Sequence, residues 1–287
     1  NKILNWYDIN KRSLPWRKRF SLKKKQYYTL VSEFMLQQTQ VTTVIPYFNR
    51  FIKNIPDLET LANFDEQKLI KFWEGLGYYS RVRNLKKTAQ VIVKDFNKKL
   101  PSNFLELKSL PGIGDYTASA ISAIAFNKPL IPLDGNVERV LKRYLYLKKK
   151  NLIQKENLIK QKKIFGTSRR SSDYAQALME LGALICKPKN PLCDQCPISK
   201  KCKSFLIKDF ILAKVIKKNK DKYFLLKVYK RNNKYLLVKN NKFNFLKNLN
   251  IFPMKELIKP KNFEQNLNFK MSNMNMSVKI EHNKIIK

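Results

Sequence analysis

The stretch that most constrains the fold is residues 110–140. It begins with Leu-Pro-Gly-Ile-Gly, a tight hairpin with two glycines, and continues with small residues over 116–125. Glycines let a backbone approach another group closely, and Asp115 or Thr117 can begin the next helix. A helix N-terminus presents unpaired N–H groups and partial positive charge, which suits a phosphate. The stretch predicts a phosphate clamp, and an ordinary connection between two helices is the alternative.

Two carboxylates suggest chemistry. Asp134 follows the hairpin between Leu133 and Gly135, at the end of an apolar run. Glu33 lies within Val-Ser-Glu-Phe-Met-Leu, on a predicted helix whose neighbouring residues are largely apolar. Each residue also has a simpler interpretation. Glu33 would then be a solvated helix residue, and Asp134 would cap a helix that starts near Asn136.

The charge balance points to a polyanionic partner. The chain has 287 residues, 44% of them hydrophobic, with a formal net charge of +38. Such an excess favours nucleic acid, because each neutralised phosphate releases condensed counterions. Lys, Asn and Ile are abundant throughout, so part of the charge could reflect drift in composition. The length allows one large domain or two modest ones.

The first twenty residues are interrupted by Lys11, Arg12, Arg17, Lys18 and Arg19 and predict no secretory signal. No apolar run is long enough to span a bilayer. We therefore expect a cytoplasmic protein without a membrane partner, in a reducing compartment that favours cysteines as metal ligands over disulfides. The one histidine, His282, all but excludes histidine-based triads and zinc sites.

The four cysteines, Cys186, Cys193, Cys196 and Cys202, are separated by six, two and five residues. Ligands this close in sequence must surround one compact centre. Only one pair has the CxxC form, whereas a zinc ribbon usually has two separated knuckles. Four thiolates in one loop favour a 4Fe–4S cluster. Zinc and free thiols remain the alternatives at this point.

The chain changes character after Cys202. Residues 1–205 have mainly helical patterns, and 206–222 form a basic linker. Beyond it, residues 223–229 and 235–238 predict a β-hairpin whose turn uses Asn232 and Asn233 with positive φ. Residues 276–280 have a weak strand pattern. We expect a small α+β domain at the C-terminus.

Four motifs and the cysteine spacing together resemble the helix-hairpin-helix DNA glycosylases that carry an iron–sulfur loop. The resemblance is closest to the MutY-type adenine DNA glycosylases, which remove adenine mispaired with 8-oxoguanine or guanine. The motifs occupy 32–40 (the catalytic helix), 73–81 (the mismatch wedge), 110–118 (the hairpin) and 133–137 (the aspartate loop).

The resemblance implies a mainly α, helix-hairpin-helix glycosylase fold. Residues 1–23 and 131–205 would form an iron–sulfur cluster helical domain, and 24–130 a six-helix domain. Residues 223–287 would be a reduced, Nudix-like lesion-recognition domain, although no pyrophosphatase box is present there. Four cysteines would hold one 4Fe–4S cluster.

The resemblance also implies residue roles. Glu33 would be the general acid and Asp134 the group that stabilises an oxocarbenium-like sugar, with Tyr116 and Asn136 positioning the sugar and Asp134. The expected contacts to DNA or to the adenine base are made by Trp16, Arg17, Gln38, Thr39, Leu76, Tyr78, Gly112, Gly114, Gln176 and Ser272. Tyr78 could instead be a core aromatic, and Gln38 an ordinary surface residue.

The expected reaction is release of adenine from double-stranded DNA by a monomer, without strand cleavage. Relatives of the endonuclease III type use a lysine two residues after the second hairpin glycine as a Schiff-base nucleophile. This chain has Tyr116 there. The alternatives are a thymine glycosylase acting on G·T mismatches and a non-catalytic iron–sulfur protein that binds DNA.

Overall fold

The computed structural model describes residues 2–147, 168–211, 219–259, 263–271 and 274–284. The chain forms two compact units, Asn1–Ala213 and Lys214–Lys287. The first is helical, which agrees with the predicted fold class. In the described residues no helix is long and apolar enough to cross a membrane.

The described residues of the first unit form mainly α-helices. They are α1 (Lys2–Asn10), α2 (Leu22–Leu36), α3 (Val41–Asn54), α4 (Leu58–Asn63), α5 (Glu66–Phe72), α6 (Ser80–Asp95), α7 (Phe104–Ser109), α8 (Asp115–Phe126), α9 (Gly135–Leu145), α10 (Ser171–Glu180) and α11 (Lys203–Leu206). A short 3-10 turn, Pro15–Arg17, precedes α2, and a π-helical turn, Leu181–Ile185, continues α10.

Side-chain caps fix several of these helix starts. Asp57, Asp65 and Asn103 accept hydrogen bonds from backbone N–H groups in the first turns of α4, α5 and α7. Each cap satisfies donors that the helix itself leaves unpaired. α8 begins at Asp115, which is one of the two predicted starting points, directly after Gly114.

The apolar core of this unit is built around α2. Its largest cluster joins side chains between Leu14 and Ala125, with Phe34 and Trp73 fully buried at 0% exposure. Further clusters join α1 to residues between Ile131 and Ile198. The domain boundaries predicted within residues 1–205 stay a prediction.

In the second unit, the described residues form strands and turns. The strands are β1 (Lys220–Arg231), β2 (Lys234–Tyr235), β3 (Val238–Lys239), β4 (Asn250–Ile251), β5 (Met254–Leu257), β6 (Leu267–Met271) and β7 (Met274–Lys284). One sheet has the order β2-β1-β7-β6, and β5 also pairs with β1. The pairing of β1 with β7 is parallel, and the small core contains Phe224, Met276 and Val278.

The predicted hairpin is confirmed only in part. Asn232 and Asn233 form its turn with φ of 45° and 57°, as predicted. The second strand, however, pairs with β1 only over Lys234–Tyr235. Val238 was predicted to belong to that strand, but it pairs with Ile251 of β4 instead. The chain turns away from β1 after Leu236, so the hairpin is short.

Candidate active site

The first unit contains a cavity of about 480 Å³ next to the C-terminal half of α2. This volume lies within the range of about 300–1,000 Å³ that is typical of small-molecule sites. The cavity brings together nine side chains that the sequence analysis had selected from distant parts of the chain: Trp16, Arg17, Glu33, Gln38, Thr39, Tyr116, Asp134, Asn136 and Gln176.

Glu33 lies in the last turns of α2 and is only 5% exposed. Its Oε2 atom has no hydrogen-bond partner among the described residues. Burial raises the pKa of Glu33 to about 7; the Tyr116 hydrogen bond and the Arg17 charge lower it, whereas the Asp134 charge raises it further. The carboxyl group can therefore hold a proton near neutral pH. The solvated-helix interpretation of Glu33 is wrong.

Tyr116 lies in the first turn of α8, directly after the hairpin. Its hydroxyl is hydrogen-bonded to Glu33. Burial and the nearby charges of Glu33 and Asp134 raise the pKa of Tyr116 well above its ordinary value. The phenol stays protonated near neutral pH, and it donates to the carboxyl group.

Asp134 both caps α9 and lines the cavity. Its Oδ1 accepts a hydrogen bond from the backbone N–H of Val137 at 2.6 Å, and its Oδ2 accepts one from Asn136 Nδ2 at 3.2 Å. Burial raises the pKa of Asp134 although these hydrogen bonds oppose the shift. The capping interpretation is confirmed, and Asp134 also lines the cavity beside Asn136.

Arg139 connects the aspartate loop to the cysteine loop. Its Nη2 donates to Asn136 Oδ1 at 2.8 Å and to the carbonyl of Gly182 at 2.6 Å, and its Nε donates to the carbonyl of Cys186 at 2.6 Å. Gly182 allows this close approach, because a Cβ there would lie 2.6 Å from the Cβ of Asn136. The start of α9 and the π-helical turn are thus held against each other.

The sequence analysis missed a buried ion cluster in the cavity wall. Glu180 is 0% exposed and accepts hydrogen bonds of 2.8 Å from Arg12 Nε, Arg12 Nη2 and Arg17 Nη1. Burial alone would raise the pKa of Glu180, but the two arginines outweigh it and hold that pKa below its usual value. Glu180 follows Gln176 by four residues on α10, and this spacing on one helix face was the available signal.

Four other predicted residues lie outside the cavity. Leu76 is buried, and Tyr78 is 49% exposed with a φ of 49°, so the core interpretation of Tyr78 is wrong. Gly112 has a φ of 77°, and a Cβ there would lie 2.7 Å from Asn84. Gly114 is the residue before α8. Ser272 lies outside the described residues.

The cysteine loop forms a separate small site. The four cysteines are half-buried and free, and all four line one void together with residues of α9 and the π-helical turn, including Val140, Arg143, Leu181 and Ile185. Arg143 donates from Nη1 to Cys186 Sγ at 3.4 Å and to the carbonyl of Lys187. Burial, with the neighbouring thiols adding to it, raises the pKa of Cys196 to about 11.

The geometry of the thiols bears on the kind of metal group. No set of three or more His, Cys, Asp or Glu residues in the described part of the chain is placed to hold a single metal ion. The four cysteines nevertheless line one common void. Bound thiols must be ionised, and an iron group would supply the positive charge that offsets the cost of burying them.

Several known proteins are similar to this chain in sequence or in fold. Residues 31–163 match the HhH-GPD superfamily of base excision DNA repair proteins. The adenine DNA glycosylase of Buchnera aphidicola subsp. Baizongia pistaciae is 41% identical to this chain, and the alignment covers 88% of this chain and 72% of that protein. The corresponding enzyme of Buchnera aphidicola subsp. Schizaphis graminum is 38% identical, and the alignment covers 88% of this chain and 73% of that protein. A solved thermostable thymine-DNA glycosylase is 26% identical, with a TM-score of 0.63 over 72% of this chain and 94% of its own. With its helical fold and a cavity that contains both Glu33 and Asp134, the chain belongs to the adenine DNA glycosylases of the helix-hairpin-helix base excision repair superfamily.

Proposed function

We propose that this protein hydrolyses the N-glycosidic bond of adenine mispaired with 8-oxoguanine or guanine in double-stranded DNA. The main support is Glu33, a buried carboxyl group with a pKa near 7 that faces a cavity shared with Asp134. Adenine is a poor leaving group until it is protonated, so a carboxyl group that still holds its proton near neutral pH suits the reaction. The base must leave the helical stack to enter the cavity.

In the proposed reaction, Glu33 gives its proton to the imidazole-side nitrogen of adenine. The bond between the anomeric carbon and the base then breaks, and its electron pair leaves with the base. The carboxylate of Asp134 stabilises the resulting sugar cation, and water adds to the anomeric carbon. The proton that this water loses returns to Glu33, so that the acid is restored.

The remaining cavity residues have supporting roles in this proposal. Asn136 orients Oδ2 of Asp134 through its hydrogen bond, and Tyr116 donates a hydrogen bond to Glu33. Trp16, Arg17 and Gln176 form the pocket for the base. Tyr116 also has no amine to form a Schiff base, which favours a monofunctional enzyme that releases the base and leaves the strand intact.

We also propose that Cys186, Cys193, Cys196 and Cys202 hold one 4Fe–4S cluster. The donor set fits, because four thiols surround one void beside α9. When bound, the cluster would cross-link the loop, and its iron ions would offset the charge of the four thiolates. The expected content is about four irons per chain. About one zinc per chain would contradict the assignment.

The proposed specificity is tested by single-turnover excision from duplexes with one A·8-oxoguanine, A·G, T·G or A·T pair. We expect adenine release from the first two, and strand breaks only after alkali treatment. Strand cleavage without alkali would exclude the monofunctional mechanism. Faster release from the T·G duplex would favour the second candidate, a thymine glycosylase, which the structural similarity to a thymine-DNA glycosylase suggests.

The partner in this proposal is double-stranded DNA, and we propose that the protein acts on it as a monomer. Gly112 and Gly114 would let the hairpin N–H groups contact the phosphate backbone. Gln38 and Tyr78 would enter the duplex near the mispair, with Thr39 and Leu76 beside them. Ser272 would contact the opposite base.

A further inference from the structure

Arg81 makes an unusual set of contacts in the first turn of α6. The side chain is buried, and its two terminal nitrogens serve two different loops. Nη1 donates to the carbonyls of Phe34, Met35 and Gln37 and to Thr39 Oγ1, and Nη2 donates to the carbonyls of Leu76 and Gly77. Arg81 thus joins the end of α2 to the Leu76–Gly77 turn.

Both loops contain a residue in a strained backbone conformation. Gln38 has a φ of 57° and Tyr78 has a φ of 49°, and neither residue is glycine. Side chains disfavour this region, so surrounding contacts must hold such residues in place. The bonds to Gln37 and Thr39 flank Gln38 on both sides, and the bond to Gly77 directly precedes Tyr78.

The guanidinium also contacts the ring of Tyr78. Its central carbon lies 5.7 Å from the centroid of Tyr78 and 5.5 Å from that of buried Trp73. The planar guanidinium group of arginine can contact both loops and both rings at once. Lysine could not, because its side chain ends in a single nitrogen. Nε has no partner among the described residues, so the contacts to the loops are made through the two terminal nitrogens alone.

We infer that Arg81 is a positioning residue that sets the spacing between the Gln38 loop and the Tyr78 loop, and so controls discrimination of the base opposite adenine. This inference rests on the proposed function, in which both side chains enter the duplex. If the two loops move as one unit, both reach the mispair together. If the contacts to Arg81 are lost, each loop can reach the mispair alone, and the excision rate opposite 8-oxoguanine falls toward the rate opposite guanine.

The test compares Arg81→Lys with wild type in single-turnover excision from A·8-oxoguanine and A·G duplexes. A displacement of about 1 Å at a reacting group can cost about 10²-fold in rate. We expect a loss of about tenfold to a hundredfold on A·8-oxoguanine, and a smaller loss on A·G, so that the ratio of the two rates falls. A wild-type ratio in a folded Arg81→Lys protein would overturn the inference.

A matched control separates positioning from general destabilisation. Ile92→Val changes a fully buried residue on the same helix, away from both loops, and should lower the thermal midpoint with the rate ratio unchanged. If Arg81→Lys does not fold, Thr39→Val replaces it, since this change removes one acceptor of Arg81 at nearly constant volume. It should lower the ratio in the same direction, and an unchanged ratio would again overturn the inference.

A double-mutant cycle gives an independent readout. Tyr78→Ala and Arg81→Lys should be strongly non-additive on A·8-oxoguanine, because Arg81 is inferred to act through the Tyr78 loop. Additive losses would overturn the inference. If wild-type protein released adenine from no duplex, the proposed function itself would fail. If it did release adenine and only the Arg81 results disagreed, the proposed function would stand and the positioning role would fail.

Discussion

Glu33 and Glu180 line the same cavity and are both buried, yet their surroundings give them opposite properties. Glu33 has a pKa raised to about 7, and one of its oxygens has no partner in the described part of the chain. Glu180 accepts three hydrogen bonds from Arg12 and Arg17, which hold its pKa below the usual value. Burial alone therefore does not decide the charge of a carboxyl group; its partners do.

This contrast divides the cavity into two functional parts. Glu180 is a permanent anion that holds Arg17 in the wall, and Arg17 in turn lowers the pKa of Glu33. Glu33 can change its protonation state near neutral pH. Pairs of titratable groups whose surroundings separate their pKa values are typical of acid–base sites. Each prediction below alters one side of this contrast.

Glu33→Gln should have the largest effect. It keeps the shape of the side chain but removes the proton that the proposed reaction needs, so we expect the single-turnover excision rate to fall by about 10²-fold or more. The control is Glu59→Gln, which removes an exposed carboxyl group paired with Lys98 and should leave the rate unchanged.

Binding distinguishes loss of chemistry from loss of the site. Glu33→Gln should bind an A·8-oxoguanine duplex about as tightly as wild type in a titration with labelled DNA. Excision by Glu33→Gln at close to the wild-type rate would contradict the acid role. Loss of both binding and excision would show that the substitution disrupts the cavity instead.

Glu180→Gln should produce the next largest effect, and it should act on stability. The change leaves Arg12 and Arg17 without their anion, and breaking a buried pair in this way costs about 3 kcal/mol. Arg12 is 34% exposed, so its share of the loss is partly screened. The measurement is the thermal midpoint, with Glu138→Gln as a control on the partly exposed pair with Lys142. Equal midpoints for Glu180→Gln and wild type would contradict the view that Glu180 anchors the two arginines.

The Glu33 side of the contrast also predicts a pH-dependent stability. The folded-state pKa of about 7 exceeds the ordinary value of 4.5, so this group favours folding at low pH and loses that contribution as pH rises from 4.5 toward about 7. Between about pH 5 and about pH 7.5 the loss should be about 2 kcal/mol. Glu33→Gln should not show this loss of stability, so its thermal midpoint should exceed that of wild type at the higher pH. Parallel pH profiles for the two proteins would contradict the raised pKa.

Much of the helical fold and most of the cavity residues could be predicted from local signals in the sequence. Helix α8 begins at Asp115, which is one of its two predicted starts, directly after the hairpin glycines. Six of the nine predicted cavity residues lie in the motifs, and a motif preserves the arrangement that its chemistry needs. The other three, Trp16, Arg17 and Gln176, were expected from the family resemblance alone. Asn232 and Asn233 identified a turn, because asparagine tolerates positive φ better than most residues.

The features that were not predicted depend on contacts between distant segments. Arg12 and Glu180 are 168 residues apart, and neither one alone differs from an ordinary surface charge. The parallel pairing of β1 with β7 has no turn signal, because the strands are joined by a long connection. The contacts of Arg81 to backbone carbonyls also have no sequence signature, since every residue carries a carbonyl.

Tyr116→Phe should give the smallest effect and would sharpen the contrast most directly. The hydroxyl of Tyr116 lowers the pKa of Glu33, so its removal should raise that pKa above about 7. One hydrogen bond contributes about 0.5–1.5 kcal/mol, which corresponds to a shift of up to about one pH unit. The rate of adenine excision falls on the alkaline side as Glu33 loses its proton, and in Tyr116→Phe this fall should begin at a higher pH. The midpoint of the fall is informative even if the maximal rate also decreases, because a change in sugar positioning scales the whole profile.

Tyr229→Phe, on β1 of the second unit, is the control and should leave the profile unchanged. A midpoint that stays in place or moves to lower pH in Tyr116→Phe would show that the hydroxyl does not stabilise the ionised form of Glu33. The contrast with Glu180 would then depend on burial and on the charges of Asp134 and Arg17.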